Sequence, residues 1–191
     1  MQRSSAIRIL LVSFLVMSLW AVVLTVSYFV ILALHLPVTL RFHVYIRSIG
    51  LLVTLSSLPM FVWVVRYRKP ADILNSTYVT FSKMMTRARL EDRSDRSEPL
   101  VVQGPYRYVR HPLYFAVLLL ALGLALLFDY TPLFITTILL FLWFSLVVAP
   151  FEERELKAIF GQDYEEYARQ VPKIMPLPTR FRKIRKDSAG T

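Results

Sequence analysis

The chain has 191 residues, 55% of them hydrophobic, and a mean hydropathy of +0.49, which is too apolar for an ordinary soluble domain and suits one membrane domain. Its formal net charge of +10 leaves two partners open, nucleic acid or anionic lipid headgroups, and the position of the charges must decide. The lack of cysteine excludes disulfides, a thiolate nucleophile and Cys-ligated metal or iron–sulfur sites.

Residues 1–8 are short and basic, with Arg3 and Arg8. Ile9 to Leu34 is an uncharged apolar run, long enough to cross a hydrocarbon core about 30 Å thick with some tilt. It resembles an uncleaved signal anchor, because it is much longer than a signal-peptide core and no small-residue cleavage site follows it. His35 to Arg47 is a polar link, and its His35 and His43 are expected at the interface rather than on a metal. The three histidines show no ligand spacing, so no metal is expected. Ile49 to Val65 predicts a second span. Its Ser56-Ser57-Leu58-Pro59 run should kink or loosen it, as a packing feature or as an opening for a ligand.

Arg66 to Gln103 is polar. Within it, Tyr78 to Leu90 puts Phe81, Met84, Met85 and Ala88 on one helical face and Lys83, Arg87 and Arg89 elsewhere, which predicts a short basic helix in the headgroup layer. Glu91 to Glu98 has no apolar residue and reads as a solvated loop. Asn75-Ser76-Thr77 matches the glycosylation triplet by chance, given the sidedness below.

Gly104-Pro105-Tyr106-Arg107-Tyr108-Val109-Arg110-His111-Pro112-Leu113-Tyr114 is a cationic, aromatic turn at the mouth of the third span, Leu113 to Phe128. Pro112 suits a first helical position. Asp129 to Pro132 is a tight turn, with Thr131 expected as N-cap of the fourth span, Leu133 to Ala149. Spans three and four therefore form an antiparallel hairpin. Pro150 opens an amphipathic helix over about Phe151 to Arg169, which Gly161 interrupts, and a Pro-rich, basic tail follows.

Ten Lys/Arg fall in 66–111 and nine after Ala149, against two in the first link and none in the Asp129–Thr131 turn. The positive-inside rule then gives four spans with both termini cytoplasmic. The fold class is all-α: a polytopic membrane protein of about four transmembrane helices with a C-terminal cytoplasmic amphipathic helix. The charge lies on one membrane face, which favours anionic lipid over nucleic acid as partner. No signal or transit pattern separates a prokaryotic plasma membrane from the endoplasmic reticulum.

The hairpin brings Arg110 to Tyr114 beside Phe151-Glu152-Glu153-Arg154-Glu155. Two readings stay open. The turn is an ordinary positive-inside anchor, with Glu152 and Glu153 stabilised by a helix start and a Glu153–Lys157 pair. Alternatively, the two clusters form a bipolar pocket in which a carboxylate holds an ammonium and tyrosines face a ring or cation. No G-x-G-x-x-G or P-loop pattern is present.

The arrangement Gly-x-Tyr-x-x-x-Arg-His-Pro-x-Tyr, an apolar hairpin, then Glu152-Glu153, Leu156, Phe160-Gly161, Tyr164, Tyr167, Val171-Pro172 and Pro176 resembles the integral-membrane methyltransferase superfamily. That group includes isoprenylcysteine carboxyl methyltransferases and phospholipid N-methyltransferases. The likeness covers roughly 98–178 of a single domain (1–191), with two spans and a loop in 1–97 and a basic tail in 179–191. It implies S-adenosylmethionine as methyl donor and a lipophilic, membrane-associated acceptor. By the same likeness Tyr106, His111, Pro112, Leu113, Tyr114 and Glu152 contact the donor, as do Glu98, Pro99, Leu100 and Val101. Glu153 and Arg110 are its candidate catalytic residues and Arg154 a candidate for substrate binding. Isoprenylcysteine enzymes carry an Arg four residues before the first Glu. Here Val148 stands there, which favours a phospholipid amine or small thiol over a prenylcysteine carboxylate. Two alternatives remain: an NADPH-dependent membrane reductase of sterol type, whose turn is similar, and a non-enzymatic four-helix lipid-binding scaffold.

Overall fold

The computed structural model describes residues 2–86 and 99–176. Among these described residues seven α-helices follow one another: α1 (Gln2–Ala33), α2 (Val44–Tyr67), α3 (Pro70–Thr86), α4 (Pro112–Phe128), α5 (Thr131–Trp143), α6 (Ala149–Phe160) and α7 (Gln162–Gln170). Among the described residues three apolar stretches are long enough to cross a membrane: Phe14–Ala33, Val44–Tyr67 and Thr131–Phe160. The fourth, α4, has 17 residues and so extends about 25 Å. Phe14, Phe29, Leu52, Phe128, Ile138 and Leu146 all stand exposed, as side chains facing lipid do. The protein is an all-α, polytopic membrane protein.

The spans pack in the order α2–α4–α5–α1. The α2–α4 contact is the closest, and glycines make it so. A Cβ at Gly123 would collide with the Thr54 hydroxyl and main chain, and one at Gly50 would stand 2.5 Å from the Leu127 nitrogen. Small residues allow such approach where lipid offers no hydrophobic drive for helix association. Between α1 and α5, the buried Ser27 and Thr136 hydroxyls share a 2.9 Å hydrogen bond. Leu118, Ala121, Leu140 and Ile174 form the buried centre, with Trp20, Phe115, Phe141 and Phe144 against it.

At one end, the α1–α2 link pairs with the α4–α5 turn. Leu40 N–H donates to Asp129 O at 3.0 Å and Thr131 N–H to Val38 O at 2.9 Å. Arg47 Nε donates to the buried Asp129 carboxylate at 2.7 Å, and a second guanidinium nitrogen bonds the same oxygen. The Thr131 hydroxyl is not the expected N-cap: it donates to Pro37 O at 2.6 Å, and Tyr130 precedes the helix. A competing carbonyl from the other half of the chain claims it. His35 is exposed, and His43 precedes α2 and stacks on Tyr45 at 4.8 Å.

The Ser56–Pro59 run does not break α2. The Ser56 and Ser57 hydroxyls donate to the Val53 and Thr54 carbonyls inside a continuous helix. The amphipathic segment expected over Tyr78–Leu90 begins earlier, at Pro70, and its last four residues lie outside the described ones. Lys83, expected off the apolar face of this basic helix, is buried. At the fourth span, α5 passes through a π-helical turn, Phe144–Val148, directly into α6, so one helix runs 30 residues. The extra backbone width absorbs Pro150, which has no N–H to offer. Gly161, at φ +57°, then separates α6 from α7.

Replacing Gly123 with Leu should drive α2 off α4. We expect thermal unfolding in detergent to fall by about 2–3 kcal/mol or more, the range of overpacked cores, whereas Leu122→Ala on the exposed flank should change it little.

Candidate active site

The opposite end of the bundle gathers the polar residues. Gly104–Arg107 forms a 3₁₀ turn. Gly104 sits at φ +60° against the Tyr67 ring, where a Cβ would collide, so the turn docks on the end of α2. Trp63 and Tyr108 extend that contact, with ring centroids 5.6 Å apart.

The turn is also tied to the chain's last described segment. Arg110 N–H donates to Pro172 O at 2.9 Å and His111 N–H to Lys173 O at 3.0 Å. The buried Tyr167 hydroxyl donates to Tyr106 O at 2.6 Å. Tyr164, Tyr167 and Val171 pack with Leu100, Val102, Leu156 and Phe160. The two motif halves are therefore one folded unit, held by main-chain bonds that need Val171-Pro172 beside Arg110-His111.

His111 organises the side chains. Its Nδ1 lies 3.3 Å from Glu152 Oε2 and its Nε2 3.4 Å from Glu153 Oε1. Burial opposes charge on this ring, but hydrogen bonds to Glu152 and Glu153 and their negative charges outweigh it, so the pKa is raised. The ring also stacks on Tyr114 at 5.3 Å, and Tyr114 on Phe144 of the π turn at 4.5 Å. Glu153 additionally meets Arg110 at 2.9 Å and Lys173 at 3.6 Å. Three cationic groups thus surround one carboxylate.

A cleft of about 100 Å³ lies between the turn, α3, α6 and α7 and opens to solvent. Of the residues singled out from sequence, Pro99, Leu100, Val101, Tyr106, Arg110, His111, Pro112, Leu113, Tyr114 and Glu152 line it. Glu153 and Arg154 do not; both border a second groove on the far side of Arg110. Glu98 lies outside the described residues. Val148 is buried within the π turn.

Sequence reasoning missed one wall. Arg68, Ile73, Ser76 and Thr77, from the α2–α3 corner, also line the cleft, and Arg68 donates to Ser76 at 3.0 Å. Ser76 and Thr77 are the residues of the chance glycosylation triplet. Tyr164 and Tyr167 line it too. The Tyr-x-x-Tyr spacing, which puts both rings on one helical face, was the available signal for these two; nothing local marked Arg68 or Ser76. The α3 wall is fastened by Lys83, whose Nζ lies 2.9 Å from Glu155 Oε1, with both side chains buried. Glu155 stands one turn beyond Glu152, so this pair joins the missed wall to the acidic one.

The cleft offers a carboxylate, aromatic faces and an unspent donor. Among the described residues the buried Tyr164 hydroxyl has no hydrogen-bond partner. Burial and the nearby Glu153 push its pKa up to about 12, so it keeps its proton. This donor set fits a ligand bearing both an ammonium and acceptor oxygens, beside an apolar part. Among the described residues no cluster of His, Asp and Glu has metal-binding geometry.

Fold and site define a class: a helical membrane protein with a charged small-molecule cleft at one end of its spans. Residues 90–163 match the family model for phospholipid methyltransferase. The chain is 40% identical over 85 residues to the methanethiol S-methyltransferase of Crocosphaera subtropica, covering 41% of this chain and 31% of that one. It is 37% identical over 92 residues to the protein-S-isoprenylcysteine O-methyltransferase of Schizosaccharomyces pombe, covering 44% and 36%. The methanethiol S-methyltransferase of Mycobacterium tuberculosis is 30% identical over 128 residues, covering 62% and 50%. The match thus spans about a third to a half of these relatives' own length. No solved structure matches the chain. Through this segment the chain is similar to the integral-membrane methyltransferase family, whose members require a methyl donor.

Two outcomes follow from these contacts. Lys83→Met leaves Glu155 buried without its cation and should cost about 3–5 kcal/mol in denaturant unfolding, while Lys83→Met/Glu155→Leu should recover most of that loss. His111 has a folded pKa raised above its unfolded value near 6.5. Its stabilising contribution is therefore complete below about pH 6.5 and is lost as pH rises through the raised folded value. Unfolding followed against pH should show this decline in the wild type and lack it in His111→Gln.

Proposed function

We propose that the protein is a membrane methyltransferase that uses S-adenosylmethionine and methylates a lipophilic acceptor through an amine or thiol. The observation that carries this reading is the Glu152 carboxylate on the wall of an aromatic cleft at the end of apolar spans. When bound, S-adenosylmethionine supplies a methyl group already activated by its sulfonium. The chain's own task is then positioning and exclusion of water rather than activation.

Glu152 is assigned to the ammonium of the donor's methionine part, and the unpartnered Tyr164 hydroxyl to an acceptor oxygen. Tyr106 and the His111–Tyr114 turn line the rest of its site, with Pro99 to Val101 as one edge. Arg68, Ser76 and Thr77 close the side that α3 provides. Glu153 and Arg110 are assigned to holding the turn, because they spend their charges on each other and on His111 and Lys173. The stack of Tyr114 on Phe144 leads from the cleft toward the spans and gives an apolar acceptor a dry approach.

The acceptor is read from Val148. It is buried and apolar, so it offers nothing to a carboxylate. A thiol, as the name of the methanethiol S-methyltransferases indicates for those relatives, or a lipid amine fits better than a prenylcysteine carboxylate. The excess of Lys/Arg on the loops at this end supports a cytoplasmic site, with both termini on that side.

Calorimetric titration of detergent-solubilised protein with S-adenosylhomocysteine tests the reading. One saturable site is expected, weakened about tenfold or more by Glu152→Gln at an unchanged thermal midpoint. Equal affinity in the variant would show that the cleft is misplaced. Absence of binding in folded protein that does bind NADPH would replace the transferase with a reductase.

A further inference from the structure

The second groove is separate from the cleft and has its own chemistry. It holds about 440 Å³ and lies between α6 and α7. Arg110, Arg154, Lys157 and Arg169 line it, against two carboxylates, Glu153 and Glu165. Arg110 is matched by Glu153 at 2.9 Å. Lys157 and Arg169 share Glu165, at 2.6 Å and 3.8 Å. Arg154 is exposed and has no ion pair among the described residues. The lining therefore carries two positive charges more than it neutralises.

Its inner wall is formed by Arg110, whose Nε is buried without a hydrogen-bond partner among the described residues, and by the Tyr164 ring, only 3% exposed. Both residues border the cleft too, so they form the partition between the two cavities. A concave surface with excess positive charge and a spare donor suits an anion with several acceptor oxygens, and a phosphate is such a group.

Depth selects the source of that phosphate. The apolar part of the fourth span ends at Pro150, and Arg154 stands four residues further along the same unbroken helix, about 6 Å on. The polar layer of a bilayer is roughly 5–8 Å thick on each side of its hydrocarbon core. Arg154 is thus held at the level of lipid phosphates, and Lys157, about 10 Å beyond Pro150, lies just outside that layer, within reach of its long side chain.

We propose that the groove between α6 and α7 is a binding site for the phosphate of an anionic membrane phospholipid, seated by Arg154, Lys157 and Arg169 against the Arg110–Tyr164 partition. This site goes beyond methyl transfer and does not depend on it. An occupied groove braces the outer face of the partition whose inner face lines the cleft.

Native mass spectrometry of delipidated protein, titrated with phosphatidylglycerol and with phosphatidylcholine, tests the proposal. One saturable phosphatidylglycerol adduct is expected, bound about tenfold or more tightly than phosphatidylcholine. In Arg154→Gln/Arg169→Gln its affinity should fall about tenfold or more, and in Arg154→Gln alone by a smaller factor. Both side chains are exposed, so the thermal midpoint should stay in place. Millimolar glycerol 3-phosphate should not displace the lipid. Equal binding of both lipids, or unchanged affinity in the folded variants, would overturn the site. Displacement by glycerol 3-phosphate at lipid-equivalent concentration would overturn the lipid as its occupant.

Discussion

A buried histidine ring between the carboxylates of two consecutive residues governs the site. Neighbouring residues on an α-helix point about 100° apart, which lets Glu152 and Glu153 turn toward different cavities. His111 meets one with each ring nitrogen. The result is a division of direction: Glu152 borders the cleft, and Glu153 borders the outer groove with Arg110. Removing charge from the ring would leave two carboxylates side by side with less to hold them. The main-chain N–H of His111 donates to Lys173 O, so the side-chain clamp and the main-chain clasp constrain each other.

The π turn sets where the clamp can form. One extra residue in a helix rotates every later side chain by about 100° relative to an uninterrupted α-helix. Phe144–Val148 makes that adjustment one turn before Glu152. Phe144, inside it, also stacks on Tyr114. The segment that turns α6 to its working angle is thereby locked against the aromatic next to His111. Pro150 fits this arrangement because an α-helical hydrogen bond was already lost there.

Much of this was legible in the sequence, and the limits have a physical origin. The four spans follow from uninterrupted apolar length, and the hairpin from a short Asp129–Pro132 turn. Pro112 and Gly161 act locally, and each marks a real helix boundary. The cleft residues of the Gly104–Tyr114 turn and Glu152 were visible because their types recur together in a family. Lys83 was not. Its helix pattern set it off the apolar face, and the carboxylate of Glu155, 72 residues away, helps make burial tolerable. The Thr131 hydroxyl fails as an N-cap for the same kind of reason, since Pro37 O competes for it from across the chain. Local pattern predicts an element, whereas non-local partners decide what its polar side chains do.

The two ends of the bundle differ in how they are joined. At the Asp129 end, short links pair main chain to main chain and seal with one Arg47–Asp129 contact. At the cleft end, the walls come from α3, the 3₁₀ turn, α6 and α7, fastened by isolated side-chain contacts such as Lys83–Glu155 and Tyr167–Tyr106. A fixed base and a jointed rim would suit the proposed site, which takes one ligand from water and another from lipid. The glycine contact between α2 and α4 supports that rim from below, because α2 leads directly into Arg68 and the α3 wall. The first two spans therefore do more than anchor the chain: they carry one side of the cleft that the motif-bearing half completes.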